Sequence, residues 1–176
     1  DAWDANGDGF TELSKISGQT AGFRGYVKTG LYSKITAEYH HLQEFRRGGD
    51  NLDLPPHEAM IAEQTKHGIN TGGLKFDWFS KDQKHRLNVF ASVQNISRDS
   101  YYGAGMVPNA YGKTTDLTWV GGAQYVFKAE RLLFMPSDLT VGLEYNEDYL
   151  RDNMWGYDRV TDQTVRIASA HAQNEW

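Results

Sequence analysis

A run of acidic and amide side chains near the amino terminus has the spacing of a calcium-binding loop. In the segment DAWDANGDGFTEL, Asp4, Asn6 and Asp8 occupy alternate positions and a glycine follows them. This spacing matches the first half of an EF-hand loop, in which Glu12 would supply the ninth-position ligand. Lys15 stands where the closing bidentate carboxylate belongs, so the loop is incomplete. Because Asn-Gly and Asp-Gly are also strong turn formers, the segment predicts either weak calcium binding or a plain turn.

Basic and aromatic residues suited to ligand capture concentrate in segments that we predict to be loops. Two adjacent arginines in EFRRGGD would meet an acidic ligand or pair with carboxylates. The segment YYGAGMVPNAYG combines Tyr, which offers rigid amphipathic contact, with Gly, which offers turns. A further aromatic residue lies in the last long loop. The candidate ligand-binding residues are Arg46, Arg47, Tyr101, Tyr102, Tyr111 and Trp155.

Catalytic and nucleic-acid-binding signatures are absent from the sequence. There is no nucleophile elbow, no phosphate-binding glycine loop and no HExxH motif, so we do not expect an enzyme. The formal net charge is −5 and no basic block is present, so a nucleic-acid partner is not expected. Cysteine is absent, so neither disulfides nor thiolate metal sites contribute to the fold.

Alternating apolar and polar residues predict the strands that must position these side chains. The apolar residues Leu117, Trp119, Ala123, Tyr125 and Phe127, for example, alternate with Thr118, Gly122 and Gln124. Similar period-2 alternation begins near residues 35, 74, 87 and 139. We therefore predict an all-β, antiparallel, up-and-down meander of about seven strands.

The predicted connections alternate between short and long. Short turns are expected at 30–33, 80–84 and 128–138, and long loops at 46–65, 98–115 and 150–163. Sorting short turns to one end of a sheet and long loops to the other is typical of outer-membrane β-barrels. Residues 1–22 are then an extracellular-type loop carrying the calcium motif, and residues 23–176 supply about seven barrel strands.

Two architectures fit strands with one apolar and one polar face. In a transmembrane barrel the apolar face meets lipid and the polar face lines a wet lumen, whereas in a soluble sandwich the apolar faces of two sheets meet in a core. Aromatic residues near the predicted turns, such as Tyr32, Trp78, Phe79 and Phe127, favour the barrel, because such residues form girdles at membrane interfaces. The alternative is a soluble calcium-dependent β-sandwich that binds a ligand.

Several phrases resemble one family of outer-membrane proteins. The segments HGINTGGLKFDWFSKDQKHRLNVFASVQNISRDSYYG, EYHHLQEFRRGGDNLDLPPHE, LFMPSDLTVGLEYNEDY and SAHAQNEW are similar to the barrel domain of TonB-dependent receptors. The similarity is greatest to the vitamin B12 and ferric-siderophore receptor branch. Because the chain starts at Asp1 and ends at Trp176 within a strand-like pattern, we expect it to be a fragment of that domain.

The resemblance implies a location and a set of partners. It implies a bacterial outer-membrane receptor that binds and imports a scarce nutrient, such as a metal chelate, cobalamin or glycan. Such a receptor is driven by the TonB complex through an N-terminal plug and is surrounded by outer-membrane lipid. Calcium held in acidic external loops is also implied, by analogy, for Asp4, Asn6 and Asp8. The isolated fragment is expected to self-associate through its open strand edges.

Overall fold

The computed structural model describes residues 2–132 and 134–176, which form one seven-stranded antiparallel sheet. Each strand pairs with its neighbours in the sequence, in the order β1 to β7, which confirms the predicted up-and-down meander. The strands are β1 (Phe10–Gly30), β2 (Ser33–Asp50), β3 (Ile61–Phe79), β4 (His85–Ala104), β5 (Tyr111–Leu132), β6 (Met135–Met154) and β7 (Arg159–Glu175).

The strands extend well into the segments that were predicted as loops. The predicted loops 46–65, 98–115 and 150–163 shrink to the connections 51–60, 105–110 and 155–158, and the first and last of these contain the 3₁₀ helices Pro56–Glu58 and Trp155–Tyr157. The predicted loop 1–22 is also wrong beyond residue 9, because β1 begins at Phe10. In these segments apolar and polar residues do not alternate regularly, so period-2 alternation gives no signal although the backbone ladder continues.

The connections still fall into two sets at opposite ends of the sheet. The end with the connections 51–60, 105–110 and 155–158 is called the loop end here, and the other is called the turn end. The turns 31–32 and 80–84 lie at the turn end. The third predicted short turn contains Leu133, which lies outside the described residues, as does Asp1. The connection 155–158, predicted as a long loop, is shorter than the turn 80–84, predicted as a short turn. The predicted difference in length between loops and turns is therefore wrong for this pair.

The strand register gathers the apolar residues into a belt on one face. Opposed residues in an antiparallel pair share a face, so the pairing of Ile35 with Phe76, Phe76 with Val89, and Val89 with Ala123 extends one apolar row across four strands. We call this side the belt face. Toward the turn end it carries Val27, Ile35, Ala37, Leu74, Phe76, Leu87, Val89, Ala91, Val93, Ala123, Leu139, Val141, Leu143, Ala168, Ala170 and Ala172.

Aromatic residues lie at both margins of the belt. Toward the loop end, Tyr39, Trp119 and Tyr145 occupy its border, and Trp78 and Phe127 do so toward the turn end. Beyond the loop-side border, the same face becomes polar and carries residues such as His41, Asn70, Asn95 and Arg151. The belt is therefore bounded on both sides.

The opposite side of the sheet, called the polar face here, carries the hydrophilic half of the pattern. Asn88 donates to Asp77 at 2.9 Å and Gln94 donates to Thr71 at 3.2 Å, both between neighbouring strands. Phe79, predicted as part of an aromatic girdle, lies on this face opposite Arg86 instead. The strand register also places on this face the side chains of Glu38, His40, Asp77, Asn88, Gln94, Gln124, Glu144 and Asn146.

The belt has no covering layer within residues 2–132 and 134–176. Leu74 and Leu143 are 60% and 65% exposed, and the sheet edges formed by β1 and β7 are exposed along nearly their whole length. The second packed sheet of the sandwich alternative is thus not found in the described part of the chain. Most of the buried apolar side chains lie at the loop end, where Ala59, Ala62, Tyr101 and Ala110 pack together.

Among the described residues, the model contains no helix of the length and hydropathy required to cross a membrane.

Replacing Gly49 by alanine should destabilise the sheet at the loop end. Gly49 has a φ of +105°, and a Cβ placed there would overlap the carbonyl oxygen of Ile61 on the adjacent strand. Because both the dihedral and the backbone contact oppose a side chain, we expect a loss of about 2 kcal/mol or more in the free energy of unfolding. The measurement is urea denaturation of the chain folded in detergent micelles.

The matched control is Gly68→Ala, at a β3 position where an added Cβ meets no atom within 4 Å. That variant should unfold within about 1 kcal/mol of the wild type. Equal urea midpoints for the two variants would contradict the strained backbone at Gly49.

Candidate functional site

The acidic segment before β1 folds into a turn stabilised by its own side chains. The Asp4 carboxylate accepts hydrogen bonds from the backbone amides of Gly7 at 2.7 Å and Gly9 at 2.8 Å. The amide of Asp8 donates to the side-chain oxygen of Asn6 at 3.0 Å, and Asp8 accepts from the amide of Phe10 at 2.8 Å. The backbone bonds that Asp4 accepts, led by that of Gly9, lower the pKa of Asp4, because they favour the ionised carboxylate.

The same turn brings the last predicted calcium ligand near the others. Glu12 accepts a hydrogen bond from the amide of Ala5 at 2.7 Å, which fixes the start of β1 against the turn. No three His, Cys, Asp or Glu side chains in residues 2–132 and 134–176 form a group that could hold a metal ion. Calcium binding by Asp4, Asn6, Asp8 and Glu12 therefore stays a prediction, and the structure establishes an ordered turn.

Immediately after this turn the β1–β2 ladder is irregular. Thr11 pairs with Gly49 and Lys15 pairs with Arg47, so β1 uses more residues than β2 between the same two points. Such a bulge redirects side chains. The bulged residue Leu13 instead forms an isolated bridge with Trp3, through hydrogen bonds of 3.1 Å in both directions.

The bulge opens a cleft on the polar face at the loop end. The cleft has a volume of about 430 Å³. Gly48 provides its floor, since a Cβ there would lie 2.7 Å from the Ser14 hydroxyl oxygen. Arg46 lies in its wall and donates to Glu44 from Nε at 2.7 Å and from Nη2 at 3.4 Å. We call this the bulge cleft, and its lining residues are Glu12, Leu13, Ser14, Ile16, Arg46, Gly48 and Glu63.

On the belt face at the same end, Arg47 is buried beneath the connection 51–60. Its side chain is 2% exposed and donates to the carbonyl oxygens of Gly48 at 2.7 Å, Asp50 at 3.3 Å and Asn51 at 3.4 Å. Burial lowers the pKa of Arg47, and the neighbouring Asp50 opposes that effect. The guanidinium thus anchors the chain as it leaves β2.

Further hydrogen bonds close the connection 51–60 and pack it against its neighbours. Asp50 accepts from the amides of Met60 at 3.2 Å and Ile61 at 2.8 Å, which join the two ends of the connection and lower the pKa of Asp50. His57 Nδ1 lies 2.7 Å from the Tyr111 hydroxyl oxygen, and the buried Tyr101 donates to the carbonyl oxygen of Val107 at 2.8 Å.

An ionic network on the polar face ties the last strands together near the loop end. Thr114 donates to Asp152 at 2.6 Å, and Arg159 donates to the other oxygen of that carboxylate at 2.9 Å. Arg98 donates to Thr114 at 2.8 Å. The bond from Thr114 makes the largest contribution to lowering the pKa of Asp152. The network fixes β7 relative to β5 and leaves the Asp152 carboxylate fully engaged.

The structure separates the six residues predicted to bind ligand into three groups. Arg47, Tyr101 and Tyr111 come together on the belt face, where the first two are buried and serve the packing of the connections. Arg46 and Tyr102 lie on the polar face, in and beside the bulge cleft. Trp155 lies apart from both groups, exposed in the connection 155–158.

Sequence reasoning missed the residues that complete the bulge cleft. Ser14 and Gly48 meet only because of the irregular pairing, and Glu63 falls in a segment predicted as a loop. The one sequence signal for this cleft was the acidic motif containing Glu12, which was interpreted only as a calcium ligand.

Comparisons with known proteins do not assign the chain to a family. No protein-family model, no curated protein and no solved structure matches it.

Calcium should bind only weakly to the turn before β1. Lys15 replaces the closing carboxylate and adds a positive charge, so we expect a dissociation constant on the order of 10⁻⁴–10⁻³ M. Isothermal titration calorimetry should show a weak isotherm that is abolished when Asp4→Ala and Asp8→Ala are combined. Absence of heat at millimolar calcium would leave the hydrogen-bonded turn as the whole role of this segment.

Replacing Arg47 by alanine should release the connection 51–60. The change removes the donor shared by the carbonyl oxygens of Gly48, Asp50 and Asn51 and leaves a void beneath them. Limited proteolysis should then cleave between residues 51 and 60 at least about tenfold faster, because unmet buried carbonyls cost roughly 1–3 kcal/mol each. Hydrogen exchange at the Met60 and Ile61 amides should accelerate in parallel.

Arg46→Ala is the matched control, since it removes the same charge from the adjacent position on the opposite face. Its exposed guanidinium bonds only to Glu44 among the described side chains, so cleavage should stay near the wild-type rate. Similar cleavage of both variants would show that Arg47 does not anchor the connection.

Proposed function

We propose that this chain forms consecutive strands of an outer-membrane β-barrel that belongs to a TonB-dependent nutrient receptor. The observation that carries the membrane assignment is the exposed apolar belt, bounded by aromatic residues at both margins and continuous across the sheet. Barrels in the outer membrane present such a band to lipid, with aromatic girdles at the two interfaces. The opposite, polar face would then line the barrel lumen.

The height of the belt is comparable with that of a bilayer. On β5 the belt runs from Trp119 at one border to Phe127 at the other, about 26 Å along a strand at about 3.3 Å per residue. With a strand tilt of about 40°, the height of the belt would be about 20 Å, against about 25 Å for the apolar band of such barrels.

Strand length provides a second argument. The strands contain between 17 and 22 residues, whereas about 9–11 residues suffice to cross the hydrocarbon of a membrane. The excess lies toward the loop end, where the belt face becomes polar, so the sheet would project beyond the bilayer on that side. We assign the loop end to the external side, in keeping with the longer external loops of outer-membrane barrels.

The receptor assignment rests on the sequence resemblance together with this architecture. In such a receptor, the loop end captures a scarce nutrient, and passage through the lumen is driven by the TonB complex acting on a plug. The exposed edges of β1 and β7 would pair with neighbouring barrel strands. In isolation, these edges would favour self-association of the chain, because they present rows of unpaired backbone groups.

Charge on the belt face should be far more costly than charge on the polar face. Val89→Arg and Val141→Arg, both within the belt, should each lower the unfolding free energy by about 2–4 kcal/mol when the protein is folded into phospholipid vesicles. Arginine at the adjacent positions, in Asn88→Arg and Thr140→Arg, should lower the unfolding free energy much less, because these side chains lie on the polar face. Urea titration of tryptophan fluorescence measures all four.

Equal penalties for the paired variants would reject the proposed orientation in the membrane. A chain that stays monomeric and folded in buffer without lipid or detergent would also reject it, because the exposed belt would then tolerate water.

A further inference from the structure

The bulge cleft combines hydrogen-bonding groups that face in from three strands. Arg46 on β2 and Glu63 on β3 form one wall, and the bulged residues Glu12 and Ser14 of β1 form the other. Glu44 and Glu63 raise the pKa of Arg46, so its guanidinium remains a charged donor beside them. Only Nε and Nη2 of Arg46 are used by Glu44, which leaves further N–H groups for a ligand.

Apolar surface adjoins these polar groups. Leu13 and Ile16 line the cleft and are 59% and 55% exposed. Trp3 is 58% exposed and forms an antiparallel bridge with Leu13, so the two side chains project from the same side. Tyr102 lies directly opposite Glu63 in the β3–β4 register and carries a second aromatic ring next to the wall.

The charge of the cleft excludes one class of ligand. The carboxylates of Glu12, Glu44 and Glu63 surround a single guanidinium, that of Arg46, so the local charge is negative. An anionic ligand, such as a carboxylate or catecholate iron chelate, would be repelled. A neutral ligand that both donates and accepts hydrogen bonds would satisfy the carboxylates and the arginine together.

The cleft is held in place before a ligand arrives. Glu12 is fixed by the amide of Ala5, Arg46 is held by Glu44, and Gly48 admits Ser14 across the strand pair. The volume of about 430 Å³ falls within the range of small-molecule sites. Pre-positioned polar groups reduce the entropy lost on binding.

We propose that the bulge cleft binds a neutral saccharide, with the hydroxyl groups of the sugar bonded to Glu63, Arg46 and Glu12. The apolar face of the sugar ring would pack on Leu13 and the Trp3 indole. Sugar rings present a hydroxyl rim and a C–H face, which match the charged wall and the apolar surface of this cleft. The inference that a saccharide is the nutrient transported rests on the proposed receptor function. Binding of a saccharide in the bulge cleft does not depend on that function.

The test is saturation-transfer difference NMR on the full chain in detergent micelles. The probes are glucose, galactose, mannose and linear trisaccharides of each, with a gallium(III) tris-catecholate chelate as an anionic probe, because it is diamagnetic and has the charge and shape of the ferric chelate. We expect saturable binding of at least one neutral saccharide and none of the chelate. Glu63→Gln and Gly48→Ala should each weaken saccharide binding about tenfold or more, the first by removing a charged acceptor and the second by displacing Ser14.

Glu130→Gln is the control, since it removes a carboxylate of the turn end that pairs with Lys84 in an exposed ion pair. It should leave saccharide binding unchanged, and all variants should retain the strand-type circular dichroism of the wild type. The proposal would be overturned if no saccharide bound saturably or if the chelate bound in preference. It would also be overturned if Glu63→Gln and Gly48→Ala left saccharide binding unchanged. Because the experiment is performed in micelles, its result is independent of the arginine scan in vesicles, which tests membrane orientation alone.

Discussion

The register of the backbone ladder is the constraint on which the other features of this structure depend. Side chains alternate along every strand, so a slip of one residue in any pair would transfer that strand's apolar residues to the polar face. The pairing of Val89 with Ala123 and of Asn88 with Gln124 keeps the faces apart across β4 and β5. The belt, its aromatic margins and the network around Asp152 all follow from register rather than from a conventional buried core.

At the loop end, adjacent residues serve two different structures, the packed connection 51–60 on the belt face and the bulge cleft on the polar face. Arg47 points to the belt face and anchors the connection 51–60 through backbone carbonyls, whereas Arg46 points to the polar face and forms part of the bulge cleft. Gly48 and Gly49 follow them and admit, respectively, the Ser14 hydroxyl and the close approach of Ile61. The packed connections therefore stabilise the wall of the cleft from behind.

Much of the fold was predictable because alternation is a local signal. The strand count, the antiparallel meander and the residues sharing the polar face follow from period-2 patterns such as the one from Leu117 to Phe127. Strand ends were not predictable where both faces are polar, as in the continuation of β2 through Arg46. The burial of Arg47 and Tyr101 and the meeting of Ser14 with Gly48 depend on partners distant in sequence, which a single chain does not reveal.

The strictly sequential strand order has a consequence for how such a sheet is built and how it changes over time. Every strand pairs only with its neighbours in the chain, so the sheet is able to form hairpin by hairpin without closing long loops first. Adding or removing one whole hairpin preserves both the up-and-down direction and the sidedness of the remaining strands, whereas adding a single strand reverses the direction of everything after it. Duplication of hairpins is thus the natural unit of growth for this architecture, and the breadth of the sheet is free to vary while its faces stay the same.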